Sequence, residues 1–161
     1  MPEEVAANYK GLGITAGFLS GLGFSYRQYF ADRLGFKATG IAFFDQNQTF
    51  GNIGLQGMYV LSENDWLRFY GLVGVSNFTT RRANYSYNNP SSTDSDYVYI
   101  PSKGSSNFEA YNSVGAGIGI ELGRLSQGLS FAIELPVVAT FRGTSFSSLY
   151  PIPSLSVIYN F

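Results

Sequence analysis

Apolar and polar residues alternate along most of this chain. The alternation breaks at regular intervals into short runs rich in Gly, Asn, Asp and Ser. A period of two puts successive side chains on opposite faces of an extended strand, so each run predicts a β-strand and each break a turn. The first predicted strand, near Tyr9–Leu19, sets Leu12, Ile14, Ala16 and Phe18 against Gly11, Gly13, Thr15 and Gly17. The second, near Leu22–Phe30, opposes Leu22, Phe24 and Tyr26 to Gly23, Ser25 and Arg27; the third, near Leu34–Phe44, opposes Phe36, Ala38 and Ala42 to Lys37 and Thr39. The fourth, near Phe50–Leu61, carries Ile53, Leu55, Tyr59 and Leu61 against Asn52, Gly54 and Gln56. In the fifth, near Trp66–Phe78, Leu67, Phe69, Val73 and Val75 face away from Arg68 and Tyr70.

From about Thr79 to Ser106 the pattern stops, and Asn, Ser, Tyr, Asp and Pro dominate, which predicts one long loop. It resumes in a sixth strand near Phe108–Leu122, where Val114 to Leu122 at every second position oppose Ser113, three glycines and Glu121. A seventh follows near Leu129–Phe141, with Glu134 on its polar phase, and an eighth near Leu149–Phe161. Pro136, Pro151 and Pro153 withdraw ladder donors, so bulges or strand ends are expected there. No helical periodicity competes with this reading, and no run of apolar residues is long enough for a membrane-crossing helix. The fold class predicted is all-β: an eight-stranded antiparallel up-and-down transmembrane barrel. Residues 1–8 form an N-terminal segment, 9–161 one barrel domain, and the long loop falls at about 79–106.

Such a barrel could be soluble or membrane-spanning, and the smaller-residue face decides between them. A soluble lipocalin-like barrel turns its apolar face inward. Here the polar phase alternates Gly, Ser and Thr with Arg27, Lys37, Arg68, Glu121 and Glu134. An apolar lumen would not hold these charges, whereas a polar lumen behind a lipid-facing wall would. Connections after the second, fourth and sixth strands read as short; those after the third, fifth and seventh read as longer, with Ser20-Gly21 the exception. Aromatics gather toward both ends of the apolar phase: Phe30, Phe36, Tyr59, Phe69, Phe131 and Tyr159 at one end, and Phe18, Phe24, Phe44 and Phe141 at the other. Two interfacial belts would have this arrangement.

Composition agrees. Of 161 residues, 13% are charged and 17% aromatic, with 19 Gly, and the net charge of −1 offers no field to recruit nucleic acid. The chain has no Cys and no His, so the commonest general base and metal ligand are missing. The start, Met1-Pro2-Glu3-Glu4, lacks the apolar core of a signal peptide, so an exported protein is expected here in mature form with an added Met.

The final residues, Leu155-Ser156-Val157-Ile158-Tyr159-Asn160-Phe161, resemble the C-terminal sorting signal of outer-membrane β-barrel proteins. Leu155, Val157, Tyr159 and Phe161 match its alternate apolar and aromatic positions. With the strand count, the whole chain looks like the small OmpA/OmpX-type barrels. The resemblance implies a bacterial outer-membrane location, contact with lipid and lipopolysaccharide, and the barrel-assembly machinery as a transient partner. Barrel enzymes of that membrane resemble one another in using a His with Ser or Asp, so the resemblance implies no enzyme here.

Other candidate chemistry is thin. Gly11-Leu12-Gly13-Ile14-Thr15-Ala16 fits a loose dinucleotide fingerprint but lies in a strand pattern, without the strand-to-helix turn that gives that motif meaning. Asp94 and Asp96 are too few for a calcium cage, and no cofactor or metal is expected. The five lumen-phase charges are expected to pair into an ion-pair plug, since an unpaired charge in a narrow barrel is costly. Arg81, Arg82, Tyr85, Tyr87, Tyr97, Tyr99 and Lys103 mix aromatics with adaptable polar groups on the long loop, a composition suited to recognising a protein or a surface glycan. Three readings stay open at this point: a structural anchor or interaction barrel, a narrow channel, and a soluble ligand-binding barrel.

Overall fold

A computed structural model describes residues 9–30, 33–45, 48–86 and 102–161, with the backbone alone for 82–86 and 102–107. The expected N-terminal segment 1–8 therefore lies outside the described residues. Among the described residues the alternation produces nine strand segments: β1 (Lys10–Gly17), β2 (Gly21–Tyr29), β3 (Leu34–Phe44), β4 (Gln48–Asn64), β5 (Leu67–Ser86), β6 (Ser102–Gly123), β7 (Gly128–Arg142), β8 (Ser145–Pro151) and β9 (Ser154–Asn160). Each pairs antiparallel with its sequence neighbour from β1 to β7, and β8 and β9 are two halves of one wall strand beside β7. Closure comes from β9 against β1, where Leu12 faces Tyr159 and Ala16 faces Leu155. The result is a closed eight-stranded, all-antiparallel barrel.

The phases hold along the wall. Ile14, Phe24, Ile53, Val73, Ile118 and Leu135 are among the apolar side chains on the exposed exterior, and Thr15, Ser25, Arg27, Lys37, Gln56 and Glu134 are buried inside. Trp66, 69% exposed at the tip of the β4–β5 turn, sits where an interfacial anchor belongs. On β9 the outward row is Leu155, Val157 and Tyr159, and the exposed Phe161 continues it. The interior also holds an apolar cluster of Leu19, Met58, Val60, Tyr70, Leu72 and Val138, so the lumen is packed along part of its length.

Several boundaries differ from the sequence reading. The ladder continues through Thr79–Arg82 opposite Ala110–Asn107 and resumes at Tyr85 with Lys103, so it takes in both ends of the expected loop; residues 87–101 lie outside the described residues. Backbone hydrogen bonding continues whether or not one face meets lipid. Above the apolar band the two-residue pattern therefore fades while the strands go on. The β7–β8 connection likewise shrinks to Gly143-Thr144, and residues 45–47 suffice after β3. The expected contrast of short and long connections survives only at β5–β6.

The prolines act together. β8 stops at Pro151 and β9 starts at Ser154, but β7 runs unbroken through Pro136, which packs inward. The carbonyl of Pro136 accepts from Ile152 N (3.1 Å), so the side of Pro136 that lacks a donor faces the gap between β8 and β9. The irregularity expected at Pro136 thus appears in its neighbour.

Candidate functional site

All five charges on the polar phase reach the lumen, toward the end that carries both termini. Arg27 on β2 donates twice to Glu121 on β6, Nη1 to Oε2 at 2.8 Å and Nη2 to Oε1 at 2.5 Å, a two-pronged geometry only a guanidinium supplies. Arg68 Nη1 adds a third bond to Glu121 Oε2 (3.0 Å), and Ser130 Oγ a fourth to Oε1 (2.5 Å). Lys37 on β3 reaches across the lumen to Glu134 on β7 at 2.5 Å. Tyr70 (3.0 Å), Gln56 (3.3 Å) and Ser154 (2.7 Å) complete that carboxylate's shell. The four side chains of these two main pairs are at most 2% exposed.

The two clusters are braced by aromatics and amides. Arg68 lies over the Tyr29 ring at 4.0 Å and the Tyr9 ring at 5.4 Å, and Arg27 stands 5.1 Å from the Tyr29 ring. Arg27 Nη2 also donates to Asn160 Oδ1 (2.9 Å), and Asn160 Nδ2 donates to the Arg124 carbonyl (3.0 Å), tying the last strand to the network. Gly119 explains how Tyr70 fits. These two residues are cross-strand partners, and a Cβ on Gly119 would lie within 2.7 Å of three atoms of the Tyr70 side chain.

Sequence reasoning missed one member. Arg68 Nε donates to Glu63 Oε2 at 2.8 Å, although Glu63 reads as part of a turn and its odd position belongs to the outward phase of β4. Pairing on β4 skips from Val60 opposite Tyr70 to Ser62 opposite Phe69, which leaves Leu61 as an extra residue. Such a bulge reverses the inside–outside phase beyond it, and Glu63 comes to face Arg68. With it, Arg27, Lys37 and Arg68 meet Glu63, Glu121 and Glu134, three cations against three carboxylates. The sequence signal was the apolar run Met58-Tyr59-Val60-Leu61, where strict alternation lapses.

The residues expected to form an outer recognition site are less gathered. Arg81 is exposed near the end of β5, while Arg82, Tyr85 and Lys103 belong to the extended β5–β6 ladder. Tyr87, Tyr97 and Tyr99 lie outside the described residues. At the same end the inward phase brings Glu109 to Arg142 (2.6 Å) and to the Tyr111 hydroxyl (3.1 Å). Phe18, expected in the lipid-facing belt, instead lies 5.6 Å from Phe78 on the far wall. Among the described residues no group of three His, Cys, Asp or Glu side chains could hold a metal ion.

An apolar exterior, an interior of buried ion pairs and eight antiparallel strands define the class: a small up-and-down barrel of the OmpA/OmpX architecture. Among solved structures, the chain is similar to the N-terminal β-barrel domain of Pseudomonas aeruginosa OprF, at 16% identity and a TM-score of 0.50 over 96% of each chain. It is also similar to the outer membrane protein Ail of Yersinia pestis, determined in a phospholipid bilayer nanodisc, at 15% identity and a TM-score of 0.41 over 96% of this chain and 98% of that one. At 16% identity the likeness to the OprF domain is one of fold. No protein-family model and no curated protein sequence matches the chain.

Proposed function

We propose that this chain is a bacterial outer-membrane barrel that serves as a rigid, non-catalytic anchor, holding the β5–β6 hairpin and its connection 87–101 on the outer side with both termini in the periplasm. The supporting observation is the division of faces: apolar side chains cover the exterior, while three cations and three carboxylates are paired inside. Eight strands leave room for little beyond side chains. Here that room is taken by ion pairs with no net charge to attract a permeant ion. On this reading the lumen is closed and the barrel works through its surfaces.

Lipid and lipopolysaccharide contact the wall. The outward row Leu155, Val157, Tyr159 and Phe161 is the feature the barrel-assembly machinery reads during insertion. The rim and hairpin, with Arg81, Arg82, Tyr85, Lys103 and the tyrosines of 87–101, meet a protein or a surface glycan. The test is planar-bilayer recording with folded protein whose insertion is verified by its heat-modifiable gel migration. A closed barrel predicts no steady conductance, and reproducible steps would establish the channel instead. Shortening 87–101 should remove binding to cells or glycans while leaving that migration unchanged.

A further inference from the structure

The short β1–β2 connection, Phe18-Leu19-Ser20, folds inward across the barrel. Leu19 is fully buried and Ser20 is 1% exposed, although a two-strand turn at a barrel rim ordinarily meets solvent. Its partners lie on walls not adjacent to β1. Ser76 Oγ on β5 donates to the Phe18 carbonyl (2.5 Å), and the Phe18 ring packs against Phe78 on β5. Leu19 belongs to the interior cluster with Met58, Leu72 and Val138. Asn52 on β4 clamps the turn's exit: its Oδ1 accepts from Leu22 N (2.5 Å), and its Nδ2 donates to the Asn77 carbonyl (3.0 Å). Gly21, at φ +87°, supplies the left-handed conformation that bends the chain back.

The opposite wall is shaped to admit this turn. A Cβ on Gly54 would meet Ser20 O at 2.4 Å, Ser20 C at 2.7 Å and Gly21 N at 3.0 Å, all atoms of the turn. The surrounding wall is uneven. β1 and β2 end at the turn, while β3 pairs with β4 beyond Gly40, and β4 to β8 rise past it. The turn is therefore the floor of an open half-shell whose inner face carries Phe50, Phe78, Tyr111, Glu109 and Arg142.

We propose that the β1–β2 turn is a second seal of the lumen, independent of the ion-pair network at the other end. Solutes arriving from the loop side meet the half-shell and stop at Leu19. The polar chamber beneath, where Thr15 bonds to both Ser25 and Ser156, is shut off from both ends. This goes beyond the anchor reading and does not depend on which membrane holds the barrel.

The absence of cysteine makes the test direct. Single-cysteine variants of the full chain in detergent micelles are exposed to a charged thiol reagent. Phe18→Cys and Thr80→Cys read the open half-shell, Leu19→Cys reads the turn's position, and Ser25→Cys reads the chamber beneath. With the turn in place, Leu19→Cys and Ser25→Cys should react slower than Thr80→Cys by about tenfold or more, since reaction waits on local opening. Adding Gly54→Val wedges the turn outward and should bring both rates up to that of Thr80→Cys. Gly71→Ala, where a Cβ meets nothing within 4 Å, should leave them slow. If Gly54→Val does not fold, as judged by heat-modifiable migration, Asn52→Ala releases the clamp and should raise both rates. Fast reaction at Leu19→Cys in the parent chain would show that the turn is not tucked. Slow Leu19→Cys with fast Ser25→Cys would show a tucked turn that does not seal, and unchanged rates in the folded releasing variant would equally overturn the proposal.

Discussion

Glu121 accepts from Arg27 twice, from Arg68 and from Ser130, and so carries more of the lumen network than any other single carboxylate in contact with the arginines. Glu121→Gln leaves two buried guanidiniums short of a countercharge, and such one-sided removal costs about 3–5 kcal/mol. The double variant Arg27→Met/Glu121→Met leaves Arg68 with Glu63 and Lys37 with Glu134. It should recover most of that loss, because paired apolar replacement of a buried ion pair is often neutral or stabilising. Denaturant unfolding of the barrel in micelles, followed by tryptophan fluorescence, measures both. The lumen positions of the five charges were legible because period-two phase is a local property. Glu63 was not, because its orientation depends on a bulge two residues earlier that no residue type dictates.

At the scale of the strand, the apolar exterior carries the pattern. Within the apolar band every second side chain is exposed and apolar, so strand and phase could be read from residue types alone. Beyond it the same ladder continues at Thr79–Arg82 and Ala110–Asn107 with no such constraint, and a paired hairpin looks like a loop. The turn at Phe18 was misread for a related reason: phase predicts which side a strand residue faces, not where a turn leans once the strand has ended. Val73 sits within the band, 60% exposed between Gly71 and Val75. Val73→Arg places a charge against the bilayer and should cost about 2–4 kcal/mol if the site is near the midplane. Reversible folding into vesicles measures this, and a soluble barrel would show no loss.

For the whole molecule, one alternation assigns an oily outside and a filled, charge-balanced inside, and the two assignments rise or fall together. Exchanging inside for outside would put six charges in hydrocarbon. Each such transfer would cost about 2.5 kcal/mol or more, and the sum over six charges exceeds the whole marginal stability of an ordinary domain. What the sequence could not supply was the third dimension of the rim: a wall low at β1–β2 and tall at β5–β6, with the low turn folded into the gap. The most direct measurement is a methyl NOE experiment on the protein in lipid nanodiscs, which reports what each side chain touches. Methyls of Ile14, Ile53, Val73 and Ile118 should show cross-peaks to lipid acyl chains, while those of Leu19, Leu72, Val138 and Ile158 show none. Water cross-peaks at the first group, or acyl-chain cross-peaks at the second, would contradict the account.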